Sequence, residues 1–251
     1  MNEQETLELY LAIDLSSAMP VLERFAKING AMAVFDGGKN NFVYVPGTRK
    51  DRVLLVAHAD TVWDSAYCPT MREFIQQVIF EDGVYRGAIH KCGNEHDIGL
   101  GADDRSGCAM LELLKDSGHS LLVLDGEEHW PHASMYLRRE YPMLFRELNE
   151  HAYAIQLDRC NSTDFKCYDI PVSEEFKSFI QEETGYEDAG VSSCTDIVHL
   201  CDNMCGVNLS VGYYNEHHAD EWLVYEEWLH TLNVVRRLLE KPQRRFPCIG
   251  C

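Results

Sequence analysis

Residues 52–57 form a short, β-rich apolar run that leads directly into His58 and, two positions later, Asp60. A run of this length and branching suits a strand covered on both faces. Such a strand has no reason of its own to end on a titratable pair. The same pattern recurs down the chain. Asp103 and Asp104 stand in GLGADDRSG, just before a helical stretch that begins at Ser106. Glu127 and Glu128 follow the apolar run 120–124, Asp158 closes the run 152–157, and His217 and His218 follow the run 206–211.

The intervening stretches settle the fold class expected. From residue 106 the pattern alternates: helix 106–115, strand 120–124, helix 134–150, strand 152–157, helix 173–183, a short helix 196–201, strand 206–211 and a long closing helix 220–240. Strands alternating with helices imply an α/β sheet with helices on both faces. Residues 4–28 read as two helical pieces broken at Met19-Pro20. Hairpins are expected around Asp36-Gly37-Gly38-Lys39-Asn40 and around Glu81-Asp82-Gly83, which makes the central sheet mixed. Neither a repeat nor a break in composition divides residues 1–251, so one catalytic domain is expected, with the tail KPQRRFPCIGC frayed from about residue 242 to 251.

The formal charge of −19 argues against nucleic acid or an anionic membrane as a partner, since phosphate would be repelled. No apolar window reaches the length of about 18 residues that a membrane span needs. The N-terminus, MNEQETLELY, lacks the basic flank and apolar core of a secretory signal, so a cytoplasmic protein is expected, with its ten cysteines reduced. Oligomeric state is not readable from the chain.

In open α/β sheets, ligands collect at the carboxyl ends of strands, so the five clusters are expected to share one crevice. Two imidazoles with several carboxylates make a donor set suited to zinc, or to manganese or cobalt where oxygen dominates. One carboxylate left over would serve as a base. Each cluster alone has a plainer meaning: a surface hydrogen bond, a helix cap, an acidic turn. Their joint occurrence at successive strand ends is what points to a metal site.

The order H-x-D, G-x-D-D, G-E-E, D, H-x-x-D-E resembles the co-catalytic zinc exopeptidase superfamily, which includes aminopeptidases, tripeptidases, glutamate carboxypeptidases and amide deacylases. The resemblance spans residues 52–240. It implies two divalent metal ions. His58 and Asp158 would hold one, Glu128 and His217 the other, and Asp103 would bridge them, with a cis peptide after Asp103. Asp60 would orient the His58 imidazole. Glu127 would be the general base, activating a hydroxide shared by the two ions for attack on an amide carbonyl. Glu221, four residues after His217, favours His217 over His218 as the ligand. The activity implied is an exopeptidase, an aminopeptidase or a di- or tripeptidase. A deacylase of N-acyl amino acids is the alternative, and a non-catalytic metal-binding relative ranks below both.

Two departures from the family pattern bear on the substrate. Where relatives carry small residues after the paired glutamates, this chain has His129-Trp130-Pro131-His132. Trp130 would either reshape the cleft or pack the start of the next helix. The roughly 60 residues between Asp158 and His217 are also too few for the inserted lid of about a hundred residues found in many relatives. Thr195-Asp196 resembles a G-T-D segment expected near the substrate pocket, and residues 61–64 are expected to form its wall. His90, Cys92 and His96 are expected in a loop over the cleft rather than a third metal site. The pairs Cys201/Cys205 and Cys248/Cys251 are not expected to bind metal.

Overall fold

The computed structural model describes residues 1–64, 77–88, 99–130 and 132–249. The N-terminal helices are α1 (Glu3–Leu11), closed by a capping box between Asn2 and Glu5, and α2 (Met19–Ala26). The break falls over 12–18 rather than at Pro20. Proline sits in the first turn of α2, where its missing N–H costs no hydrogen bond.

The main sheet has eight strands. They are β1 (Met32–Val34), β2 (Phe42–Val45), β3 (Leu54–His58), β6 (Ser120–Leu124), β7 (Ala154–Arg159), β8 (Asp164–Lys166), β9 (Glu187–Asp188) and β10 (Gly206–Ser210). Their spatial order is β1-β2-β6-β3-β7-β10-β8-β9. The four central strands β6, β3, β7 and β10 run parallel, so their carboxyl ends lie along one edge. Strand β3 is buried throughout, as its apolar run requires. Full burial of each Leu or Val contributes about 1.5–3 kcal/mol. A second, antiparallel sheet joins β11 (Tyr213–Tyr214), β12 (Trp222–Val224), β5 (Val84–Ala88) and β4 (Gln77–Glu81). Asp82 and Gly83 turn the β4–β5 hairpin with φ of 51° and 81°, the two positive values a two-residue type I′ turn needs.

Helix α3 (Ala102–Leu114) packs on β3 and β7, and α6 (Glu174–Thr184), α7 (Asp196–Leu200) and α8 (Tyr225–Glu240) complete the layers with two helices after β6. Two expectations need correction. The helix expected over 134–150 is two helices, α4 (His132–Glu140) and α5 (Pro142–Leu148), because Pro142 forces Tyr141 out of the helical region (φ −121°, ψ 56°). The closing helix starts at Tyr225 rather than Asp220. Trp222 and Leu223 belong to β12, where Trp222 stacks on Tyr214 at 5.5 Å while Leu223 remains buried. Among the described residues no helix is long and apolar enough to cross a membrane.

The tail also differs from expectation. Residues 241–249 form a strap packed on the body rather than a frayed end. Phe246 is 4% exposed and sits among Tyr153, Phe176 and Phe179, with ring centroids 6.0, 5.2 and 4.8 Å away. Arg245 donates to the carbonyls of Asn149 and Asn203 at 2.8 and 2.9 Å, and Cys248 bridges Val172. Replacing Phe246 by alanine is therefore expected to cost about 3–5 kcal/mol of unfolding free energy. Denaturant titration measures it, and an unchanged midpoint would mean that the strap carries no stability.

Candidate metal centre

The parallel register explains why the polar clusters converge. His58 ends β3, Glu127 and Glu128 follow β6, and Asp158 lies next to the end of β7. The chain leaving β10 passes through β11 before reaching His217, so His217 approaches the same edge from the second sheet. Asp103 and Asp104 enter from the start of α3, and the peptide between them is cis, as the resemblance implies.

The side chains form two facing groups. His58 Nε2 lies 3.1 Å from Asp103 Oδ1 and 3.1 Å from Asp158 Oδ1. His217 Nε2 lies 3.1 Å from Asp103 Oδ2 and 2.8 Å from Glu128 Oε2. Asp103 thus turns one oxygen to each imidazole. His218 is exposed, and its Nδ1 meets the Glu216 carbonyl at 2.7 Å, away from this cluster. Glu127 Oε2 stands 4.0 Å from His58 Nε2, outside either group.

This arrangement suits cations better than hydrogen bonds alone. A single imidazole N–H cannot point along two directions, yet each Nε2 faces two carboxylate oxygens. Glu128 Oε2 is buried, and the imidazole beside it lacks the alignment of a hydrogen bond. Donor atoms of His58, Asp103 and Glu128 lie within 4.8 Å of one another, as do those of His58, Asp104 and Asp158, and either group could hold a metal ion. Asp104 is the weaker candidate of the two aspartates. Its oxygens accept from the amides of His58 at 3.1 Å and Gly107 at 2.9 Å. Gly107 permits this contact, since a Cβ there would lie 2.0 Å from the Leu157 carbonyl oxygen.

Each acid is held by neutral donors. Asp158 Oδ2 accepts from Gln156 Nε2 at 2.8 Å, Thr195 Oγ1 at 3.1 Å and Asn208 Nδ2 at 3.4 Å, which leaves Oδ1 facing His58. Glu128 Oε1 accepts from the Val62 amide at 2.9 Å, leaving Oε2 for His217. Glu221 accepts from the amides of Gly101 and Asp103 at 2.6 and 3.0 Å, and so shapes the turn that delivers Asp103.

Asp60 contacts more than His58. The imidazole Nδ1 meets the Asp60 carbonyl at 3.1 Å and its carboxylate at 3.5 Å. The same carboxylate accepts from the amides of Glu127 and Glu128 at 3.2 and 3.3 Å. It therefore ties the end of β3 to the turn after β6, which Gly126 enters at φ 80°.

Burial dominates the titration of this cluster. It pushes Glu127 well above the ordinary carboxylate range, Asp158 upward, and Glu128 and Glu221 up to about 8. Burial pulls His58 down, but the carboxylates of Asp158, Asp103 and Asp60 overcome it and raise the imidazole well above its usual value. Asp103 and Glu128 raise His217 to about 11. Asp103 and Asp60 are instead held low: against the burial penalty, both imidazoles bond to Asp103, and His58 and Lys39 offset the charge of Asp60. Acids buried this closely call for positive charge, which protons or divalent cations would supply in competition with one another.

Several expectations change. Residues 61–64 do not line the cleft. Thr61 bonds the Leu15 carbonyl, the Val62 amide holds Glu128, and Asp64 pairs with Lys39 at 2.6 Å. Thr195 sits behind Asp158 as well as lining the cleft, while Asp196 is fully buried beside Ser134, and burial pushes its carboxyl to about 7. Trp130 is 59% exposed, just before the start of α4. His90, Cys92 and His96 fall outside the described residues. The cleft over Asp103, Glu127 and Asp158 has a volume of 160 Å³ and is lined also by Tyr168, Cys194 and Glu216. Larger cavities of 610 and 770 Å³ lie elsewhere and carry none of these acids.

Sequence reasoning missed Gln156, Asn208, Lys39, Asn41 and Asp125. Lys39 Nζ lies 3.0 Å from Asp125, and Asn41 Nδ2 donates to it at 2.7 Å, which fixes the turn leading to Glu127. Gln156 had a readable signal, since a residue two before Asp158 on a strand shares its face. Asn208 and Lys39 had none, being distant in the chain from what they hold.

No family model matches the chain, and no curated protein matches it. Among solved structures it is similar to the aminopeptidase PepT of Bacillus cereus ATCC 10987 (14% identity, TM-score 0.63, covering 96% of this chain and 98% of that one). It is also similar to a tripeptidase from Staphylococcus aureus subsp. aureus Mu50 (13%, 0.64, 96% and 100%). An aminopeptidase from the archaeon Desulfurococcus kamchatkensis matches as well (11%, 0.62, 96% and 96%). The chain has the α/β fold of these peptidases, the fold its motif order implies. At such identities the likeness extends to the fold alone.

The hydrogen bonds behind Asp158 lead to a measurable expectation. Thr195→Val should weaken divalent-metal binding about 10–100-fold by calorimetry, with Thr195→Ser restoring most of it. Equal affinity in wild type and Thr195→Val would show that Asp158 needs no such support.

Proposed function

We propose that this chain is a single-domain, di-metal hydrolase of amide bonds, an exopeptidase that removes residues from the N-terminus of short peptides in the cytoplasm. The observation that carries the reading is the division of Asp103: each oxygen meets a different imidazole, each imidazole has its own carboxylate, Asp158 or Glu128, and Glu127 is left over beside them. Two imidazoles with three carboxylates favour zinc, with manganese or cobalt as substitutes.

Two divalent cations held by His58, Asp158, Asp103, Glu128 and His217 would supply the charge that acidifies a water and polarises an amide carbonyl. The remaining work falls to the chain's own groups. Glu127 takes the proton from the attacking water, and its buried position makes its carboxylate a stronger base than an exposed one. It then returns the proton to the departing amine. Asp60, through the amides of Glu127 and Glu128, keeps the base and the ligand in register. The carboxylates around the cleft, Glu216 among them, attract an α-ammonium group, which favours substrates with a free N-terminus.

Metal analysis beside a Glu127→Gln variant tests this reading. Two ions per chain are expected in both proteins, with the variant's turnover reduced about 10²–10⁴-fold. Fewer than two ions in fully loaded wild type would sink the paired site, and an active variant would remove Glu127 as base. A panel of aminoacyl and N-acetyl-aminoacyl amides separates the two substrate classes. Hydrolysis confined to free amines is expected, and preference for the acetylated set would make the protein a deacylase.

A further inference from the structure

At the opposite edge of the sheet, the turn after α7 delivers Cys205 to the amino end of β10, and the C-terminal strap delivers Cys248 to the same point. Their sulfurs are 3.8 Å apart. The two residues are held there independently. Cys205 is fully buried and adjoins a strand paired on both sides. The strap is anchored by Phe246 in its ring cluster, by the Val172–Cys248 bridge and by the Ile249 amide on the Pro171 carbonyl at 2.6 Å. The Cys205 thiol also approaches the carbonyls of Phe246 and Pro247 at 3.8 and 3.6 Å. Cys201, four residues before Cys205, packs its sulfur on Gly206, where a Cβ would lie 2.6 Å from it. Among the described residues the clusters able to hold a metal ion contain no cysteine.

We propose that Cys205 and Cys248 form a reversible disulfide that fastens the C-terminal strap to β10. The sulfurs need only close from 3.8 Å to the bonded distance of about 2.05 Å, and the Cys205 sulfur already lies against the two residues before Cys248. The oxidant is a small-molecule disulfide such as oxidised glutathione. The half-buried Cys248 loses its proton to water, and its thiolate attacks one glutathione sulfur. A Cys248–glutathione bond forms and one glutathione leaves as thiolate. Cys205 then loses its proton and attacks the Cys248 sulfur, expelling the second glutathione. Two electrons pass from the protein thiols to the oxidant, yielding one protein disulfide and two reduced glutathiones. Burial pushes the Cys205 thiol up to about 12, which makes this second step the slower one. The bond closes a loop of about 40 residues that contains α8, which restricts the unfolded chain.

Incubation of the whole protein with oxidised glutathione, followed by alkylation and peptide mass spectrometry, tests the bond directly. A single linked peptide joining residues 205 and 248 is expected. The melting temperature should rise by about 5–15 °C and return with dithiothreitol. Cys248→Ser should abolish the rise, and Cys251→Ser should leave it intact. Separately alkylated Cys205 and Cys248 after oxidation would overturn the proposal. So would a mixed glutathione adduct that never closes, or a link from either residue to another cysteine. Peptide mapping of wild type decides the matter even if a variant fails to fold.

Discussion

The carboxylate of Asp103, with each oxygen turned to a different imidazole, is the contact on which the site depends. Every other group is placed relative to it. Glu221 shapes the turn that presents it, Asp104 behind it anchors the start of α3 to β3, and Asp158 and Glu128 complete a carboxylate pair around each imidazole. A carboxylate shared by two imidazoles keeps both contacts only if its own backbone is held, and the Gly101 and Asp103 amides are bound by Glu221 accordingly.

Concentrating buried acids at one sheet edge is costly unless positive charge accompanies them. The protein supplies part of that charge itself. Lys39 stands between Asp64 and Asp125, and although burial pulls its ammonium down, those carboxylates hold it above its usual value. The fully buried Arg105 donates to the carbonyls of Asp14 and Ser17 and adds a second cation beneath Asp60 and Asp64. Neither cation reaches the oxygens of Asp158, Asp103 and Glu128 that face the imidazoles. Among the described residues the compensation there is a proton on His58 or His217, which is the electrostatic reason the site suits divalent ions.

Much of this was legible beforehand, for a local reason. His58, Glu127, Glu128 and Asp158 each follow or close an apolar run, and strand runs are recognisable by length and branching. What failed was whatever depended on a partner remote in sequence. The tail looked frayed because Pro242, Gln243, Arg244 and Arg245 are polar or helix-breaking, and only the pocket formed by Tyr153, Phe176 and Phe179 explains why Phe246 anchors it. Residues 61–64 looked like a pocket wall because they follow a ligand, yet their contacts run to Leu15, Lys39 and Glu128.

By itself the sequence determined the α/β class, the strand ends and the residue types that gather there, since these follow from periodicity and from the chemistry of side chains close in the chain. The resemblance favoured His217 over His218 through its spacing to Glu221, and the tertiary structure decided how that imidazole comes to face Asp103. A positive φ of 64° and the path through the second sheet bring it to that contact, and neither has a signal in the residues next to it. It also decided that Asp60 holds two glutamate amides and that Gln156, Thr195 and Asn208 stand behind Asp158. Those contacts arise from parallel strand pairing, which brings together segments whose separation along the chain carries no local signal.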